Sequence, residues 1–199
     1  QEAQFLDSGS EEVQAWRVER SPDGLAAVAL SPRMASRIRG SFATRMTSVV
    51  LVGLCAFVAA YLPQTEKARD ATMYEEAASE LKLQMRKARE MGAKFLFVGV
   101  DAQVELDPNH DVLTGSAVQG AEAYMVQGAD FQAMFDAKQA ALFAIADEFN
   151  IVFANTFTDS RVATQKFGRV LDYVMAPSCM VHRAWVAAPG ILIGRTDHF

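Results

Sequence analysis

The chain has 199 residues, 51% apolar and 22% charged, enough for one ordinary domain plus a tail and rich enough to bury a core. Disordered, collagen-like and disulfide-stapled classes are excluded, since the only cysteines, Cys55 and Cys179, sit in neither Cys-x-x-Cys nor zinc-type spacing. The net charge of −5 is uneven, with six acids and six bases in residues 1–65 but eighteen acids against thirteen Lys and Arg in 66–199, so no nucleic-acid partner is expected.

Residues 1–33 read as a polar, at first acidic tail, with an aromatic cluster around Trp16 and a turn signal at Ser21-Pro22-Asp23-Gly24. Residues 34–45 are basic. From 46 to 65 twenty residues carry no charge, and apolar residues occupy every helical face up to Leu62. As a helix the segment would rise roughly 30 Å, about one hydrocarbon core, so it is expected to span a membrane, with Tyr61 at an interface and Pro63 ending it. Arg33, Arg37, Arg39 and Arg45 precede it and no acid lies between Gly24 and Thr65. The positive-inside rule then holds the N-terminus on the cytoplasm-like side and puts residues 66–199 in a periplasm, lumen or intermembrane space. Two rival readings of the run are a buried core helix and a signal peptide. In the second, translation starts at Met34 and cleavage after Val58-Ala59-Ala60 releases a secreted or lumenal binding domain. The lack of an initiator Met suggests that a segment upstream has been removed.

After Pro63, Tyr74, Ala77, Ala78, Leu81, Met85, Ala88 and Met91 recur at helical spacing, and Gly92 offers a C-cap. Residues 94–100 form a continuous apolar run, the mark of a strand buried on both faces, followed by a loop over 101–116. A second helix is expected over 130–149, with Phe131, Met134, Phe135, Leu142, Ile145, Ala146 and Phe149 on one face, leading into a strand at 151–154. A third helix would be N-capped by Thr158 or Asp159, bury Ala163, Phe167, Val170, Leu171 and Val174, and end at Pro177. Residues 190–193 suggest a last short strand. The sum is an α/β layer domain with a short, mainly parallel sheet behind one transmembrane helix.

Polar chemistry is densest at Asp101, Gln103, Glu105, Asp107, Asn109, His110 and Asp111, which begin where the first buried strand ends, the place where open α/β sheets bind ligands. Asp107, Asn109 and Asp111 repeat the D-x-N-x-D spacing of a calcium loop, but Val112 stands where such a loop needs Gly and Val118 where it needs Glu. The string over 95–103 (FLFVGVDAQ) resembles the strand-then-Asp-x-Gln of isochorismatase-like cysteine hydrolases. That resemblance implies an Asp working with a Lys and a nucleophilic Cys. Cys179, in Pro-Ser-Cys-Met, lacks a local setting for that nucleophile and no Lys can be placed, so the family is not assigned. Turn-making by Asp, Asn and Pro accounts for the same loop, with His110 solvated. Asp159 is expected either to meet Asp101 across neighbouring strand ends or to cap a helix.

His182, His198 and Cys179 match no ligand spacing, and Trp185, Val181, Val186 and Phe199 make an apolar patch that is either a cap or a docking surface. Gly-rich phosphate loops, Gly-x-Ser-x-Gly and His-Glu-x-x-His are missing, so no catalytic, cofactor or metal residue is assigned. These observations lead to the expectation of a noncatalytic, single-span subunit or assembly factor of a membrane complex, its partners the lipid bilayer and other membrane subunits. The competing expectation is a membrane-anchored hydrolase using Asp101 with Asp107, His110 or Asp159, which requires those side chains to converge on a pocket.

Overall fold

The computed structural model describes residues 3–5, 14–64, 71–118, 128–158, 164 and 169–181. The elements are β1 (Ala3–Phe5), β2 (Gln14–Arg20), β3 (Ala27–Leu30), the short α1 (Pro32–Ala35), β4 (Ile38–Ala43), β5 (Thr47–Val52), β6 (Cys55–Tyr61), α2 (Ala71–Glu90), β7 (Phe95–Asp101), α3 (Gly128–Phe149), β8 (Ile151–Phe153) and β9 (Asp172–Pro177), with 3₁₀ turns at Ala154–Phe157 and Ser178–Met180. A three-stranded antiparallel sheet, β1-β2-β3, accompanies a six-stranded sheet in the order β4-β5-β6-β7-β9-β8. In the larger sheet only β6 and β7 run parallel among the described strands, joined by α2. The domain is thus α/β with a mixed sheet, not the mainly parallel one expected.

The described part of the apolar run, residues 46–64, is not a helix. It is the β5–β6 hairpin, in register from Thr47↔Ala60 to Val52↔Cys55 around Gly53-Leu54. Gly53 supplies φ +57° at the first turn position, which suits the twist of a two-residue hairpin. The segment is apolar throughout because β5 is covered on both faces. Val49 and Leu51 belong to the core under the helices, whereas Val50 and Val52 pack with Val28 and Leu30 of β3. No helix among the described residues is long and apolar enough to cross a membrane. The spanning helix, and the membrane-complex role built on it, are corrected accordingly, and the orientation drawn from the arginines loses that support. Residues 14–30, read as a tail, carry β2 and β3, and Arg37 and Arg39 lie beside or within β4.

α2 and α3 cover one face of the six-stranded sheet. Tyr74, Ala77, Ala78, Leu81, Met85 and Ala88 of α2 meet Leu96, Val98 and Val100 of β7 in the main core, as the spacing predicts, and Phe135, Leu142, Ile145, Ala146 and Phe149 add the inner face of α3. Gly92, at φ +89°, ends α2 in a Schellman arrangement, with Gly92 N–H donating to Arg89 O at 2.9 Å and Ala93 N–H to Ala88 O at 3.0 Å. Glu148 of α3 accepts from Arg86 at 2.5 and 2.9 Å and pairs with Lys82 at 3.1 Å, tying the two helices at their outer rim.

The third helix is also corrected. Residues from Asp172 to Pro177 form β9, antiparallel to β7, with Tyr173 and Met175 inward and Val174, assigned above to an inner helical face, 49% exposed. The period there is two and not 3.6. Asp159, Ala163, Phe167, the strand at 190–193, His182, Trp185, Val186, His198 and Phe199 lie outside the described residues.

Candidate active site

β7 alternates strictly. Leu96, Val98 and Val100 face the helices, so Phe97, Gly99 and Asp101 face the other way. The register sets Asp101 opposite Asp172 across the β7–β9 pair, which places both carboxylates on this outer face at the end of the strand. A cleft of about 430 Å³ opens there, with Gly99 and Ala59 on its floor, the approach to β3 at Leu25–Ala27 as one wall, and Asp101, Asp172, Asn155 and Thr164 around it. A Cβ built on Gly99 would meet nothing within 4 Å, so the missing side chain is part of the open space.

Each polar side chain is held in place. The Asp101 peptide is fixed between strands, its carbonyl accepting from Leu62 N–H at 2.9 Å, and Gln103 Nε2 donates to Asp101 Oδ1 at 2.6 Å. Asn155 acts as a piece of strand, Nδ2 donating to Asp172 O and Oδ1 accepting from Val174 N–H, both at 3.0 Å. Thr164 Oγ1 accepts from the N–H groups of Leu171 at 2.9 Å and Asp172 at 3.0 Å. With their polar atoms committed to backbone, Asn155 and Thr164 chiefly orient Asp172.

Behind the cleft, Tyr74 Oη donates to Ala102 O at 2.8 Å, and Lys138 Nζ donates to Gln103 O at 3.4 Å while lying 5.1 Å from the centre of the Tyr74 ring. Burial, reinforced by the negative charge of Asp101, raises the Tyr74 phenol well above its usual range, so it remains a donor. Burial, followed by the positive charge of Arg169, lowers Lys138 to about 8.

The expected convergence of the loop on Asp101 does not occur. Asp107 and His110 line a separate hollow of about 380 Å³ against α3, with Asp136, Gln139 and Asp147. His110 stacks on Phe143 at 3.8 Å between ring centres, so it is not simply solvated. Asn109 and Asp111 take φ of +55° and +46°, the left-handed conformation Asn and Asp tolerate in tight turns, and Thr114 closes the loop by donating to Asp107 O at 2.7 Å and accepting from His110 N–H at 2.8 Å. No group of three or more His, Cys, Asp or Glu among the described residues could hold a metal, so the calcium-loop spacing is not realised as a ligand cluster. Glu105 is buried in the same loop. Cys55 and Cys179 are both free thiols. Cys179 follows Pro177, past the end of β9 away from the Asp101–Asp172 pair, so the cysteine-hydrolase pairing implied by the resemblance is not formed. Val181 packs against the main core, which makes its share of the C-terminal apolar patch a cap.

Sequence reasoning missed Asp172, hidden in a stretch read as helix, and Lys138, whose signal was a charge within an otherwise apolar helical face.

No protein-family profile and no curated protein matches the chain. Among solved structures it is similar to the 3′ phosphatase NExo from Neisseria bound to a product DNA hairpin, and to the 3′-5′ exonuclease NExo from Neisseria meningitidis. Each match has a TM-score of 0.46 and 10% identity and covers 69% of this chain and 54% of the other, so the chain spans about half the length of those proteins. The expectation of no nucleic-acid partner rested on net charge alone and is not carried further. The expectation of the lipid bilayer and membrane subunits as partners loses the spanning helix on which it rested.

Proposed function

We propose that the chain is a phosphate-ester hydrolase that works with a divalent cation held between Asp101 and Asp172. The observation that carries this reading is the register of β7 and β9, which sets two carboxylates directly opposite each other at the mouth of an open cleft. Two carboxylates on neighbouring strands at one cleft offer oxygen ligands that a divalent cation can bridge. Oxygen donors alone suit a hard ion. Magnesium in particular is commonly held by one or two carboxylates, with water and substrate phosphate oxygens completing its shell. Such an ion lowers the pKa of a bound water and offsets charge on the phosphoryl oxygens. This chain's own part is to fix Asp101 through Gln103, to fix Asp172 through Asn155 and Thr164, and to leave room over Gly99 for the ester.

The test is release of phosphate or nucleotide from p-nitrophenyl phosphate and a 3′-phosphorylated DNA hairpin, with Mg2+ or Mn2+ and after chelation, alongside Mn2+ binding followed by electron spin resonance. Cation-dependent turnover that Asp101→Asn lowers by about 10²–10⁴-fold is expected. No turnover with either ion, together with no Mn2+ binding by the intact chain, overturns the reading.

A further inference from the structure

We infer that Lys138 is a positioning residue: its ammonium group, set over Tyr74 and bonded to the Gln103 carbonyl, holds the strained Gln103 backbone that delivers the Gln103 side chain to Asp101. The inference rests on the hydrolase reading above and goes beyond it in making the site pH-sensitive from behind.

Gln103 has φ +52°, in the left-handed region that a residue with a Cβ avoids unless its surroundings enforce it. The enforcement comes from both helices. Tyr74 of α2 donates to the carbonyl of residue 102 at 2.8 Å and Lys138 of α3 donates to the carbonyl of residue 103 at 3.4 Å, so two consecutive peptide units are gripped from the core side. On the cleft side the same residue reaches back to Asp101 at 2.6 Å. Lys138 is only 5% exposed, an unusual place for an ammonium group, and its position 5.1 Å over the Tyr74 ring adds a cation–π attraction that exists only while it is charged.

Among the described residues, the titratable and charged groups that bear on this lysine include Tyr74 from α2, with Asp101 at the end of β7 acting on that phenol, and Arg169 from the segment before β9. Tyr74 stays protonated. Lys138, at about 8, therefore changes charge first as the pH rises. Loss of the proton removes the cation–π attraction and leaves a neutral amine with a weaker bond to the Gln103 carbonyl. Gln103 is then freer to leave its strained conformation, and Asp101 loses an oriented donor.

The experiment measures Mn2+ affinity and phosphate-ester turnover of the full chain from pH 6.5 to 9.5 for wild type, Lys138→Met and Lys138→Arg. Wild type is expected to lose affinity through a midpoint near pH 8. Lys138→Met should bind about 5–10-fold more weakly at pH 7 with that step gone, whereas Lys138→Arg should recover most of the pH 7 affinity without the step. A Lys138→Met protein with wild-type affinity and an unchanged step overturns the inference. If Lys138→Met does not fold, the Lys138 side chain and the Gln103 amide are followed by NMR in wild type. A shared midpoint near 8 supports the inference, and independent titrations refute it. Should Asp101→Asn leave cation binding and turnover intact, the hydrolase reading fails. Should Asp101→Asn act and Lys138→Met not, only the positioning role fails.

Discussion

The two faces of β7 put adjacent residues of one strand to opposite uses. Toward the helices, Leu96, Val98 and Val100 are closed off by α2 and α3 and contribute to stability. Away from them, Gly99 and Asp101 open into a cleft beside β3, and their neighbour Val174 is exposed. An alternation of one residue therefore separates core from site, and a substitution's face, more than its position along the strand, should decide whether it damages folding or chemistry.

Asp101→Asn gives the largest functional loss expected, about 10²–10⁴-fold in turnover with a melting temperature close to wild type, checked by paired assay and thermal scan. A matching loss of stability would erase the division between faces. On the other side, Leu96→Ala should cost about 2–5 kcal/mol in denaturant titration while the folded fraction keeps its cation affinity. Gly99→Val sharpens the contrast, because the added side chain enters open space in a conformation valine accepts. Its unfolding free energy should stay within about 0.5 kcal/mol of wild type while KM for a phosphate ester rises several-fold. A raised KM without lost stability would place substrate over that floor, whereas an unchanged KM would move it elsewhere.

Glu148→Gln has the smallest expected effect. The hydrogen bond from Arg86, then the contacts of Lys82, hold the Glu148 carboxyl below its ordinary range. Its contribution is therefore present above the unfolded pKa and disappears as pH falls through the lower folded one. At pH 7 the variant should melt about 1–3 °C below wild type, and the gap should close in acid.

Much of this was legible in the sequence. The 3.6 period of α2 and α3, the cap at Gly92 and the apolar run of β7 all express local physics, and Asp101 was singled out because it ends a buried strand. The β5–β6 hairpin was not, since periodicity says nothing when both faces of a strand are covered. The discriminating signals were Val49, Val50 and Val52, with their β-branched preference, and Gly53 at a turn. Asp172 was missed because its value comes from register with β7, a long-range relation that no local pattern around Leu171-Asp172-Tyr173 carries. Lys138 was missed because its partners at 74 and 103 lie far away in the chain.

The doubly covered β5 also has a bearing on synthesis. Its hairpin is made before the parallel partner β7 and before α2 and α3, so at the ribosome a charge-free, valine-rich ribbon must wait for most of its cover. Such a nascent segment is sticky, open to self-association and attractive to factors that select targeting sequences. Arg37, Arg39 and Arg45 next to it are like charges of the kind that oppose pairing between copies of such a ribbon.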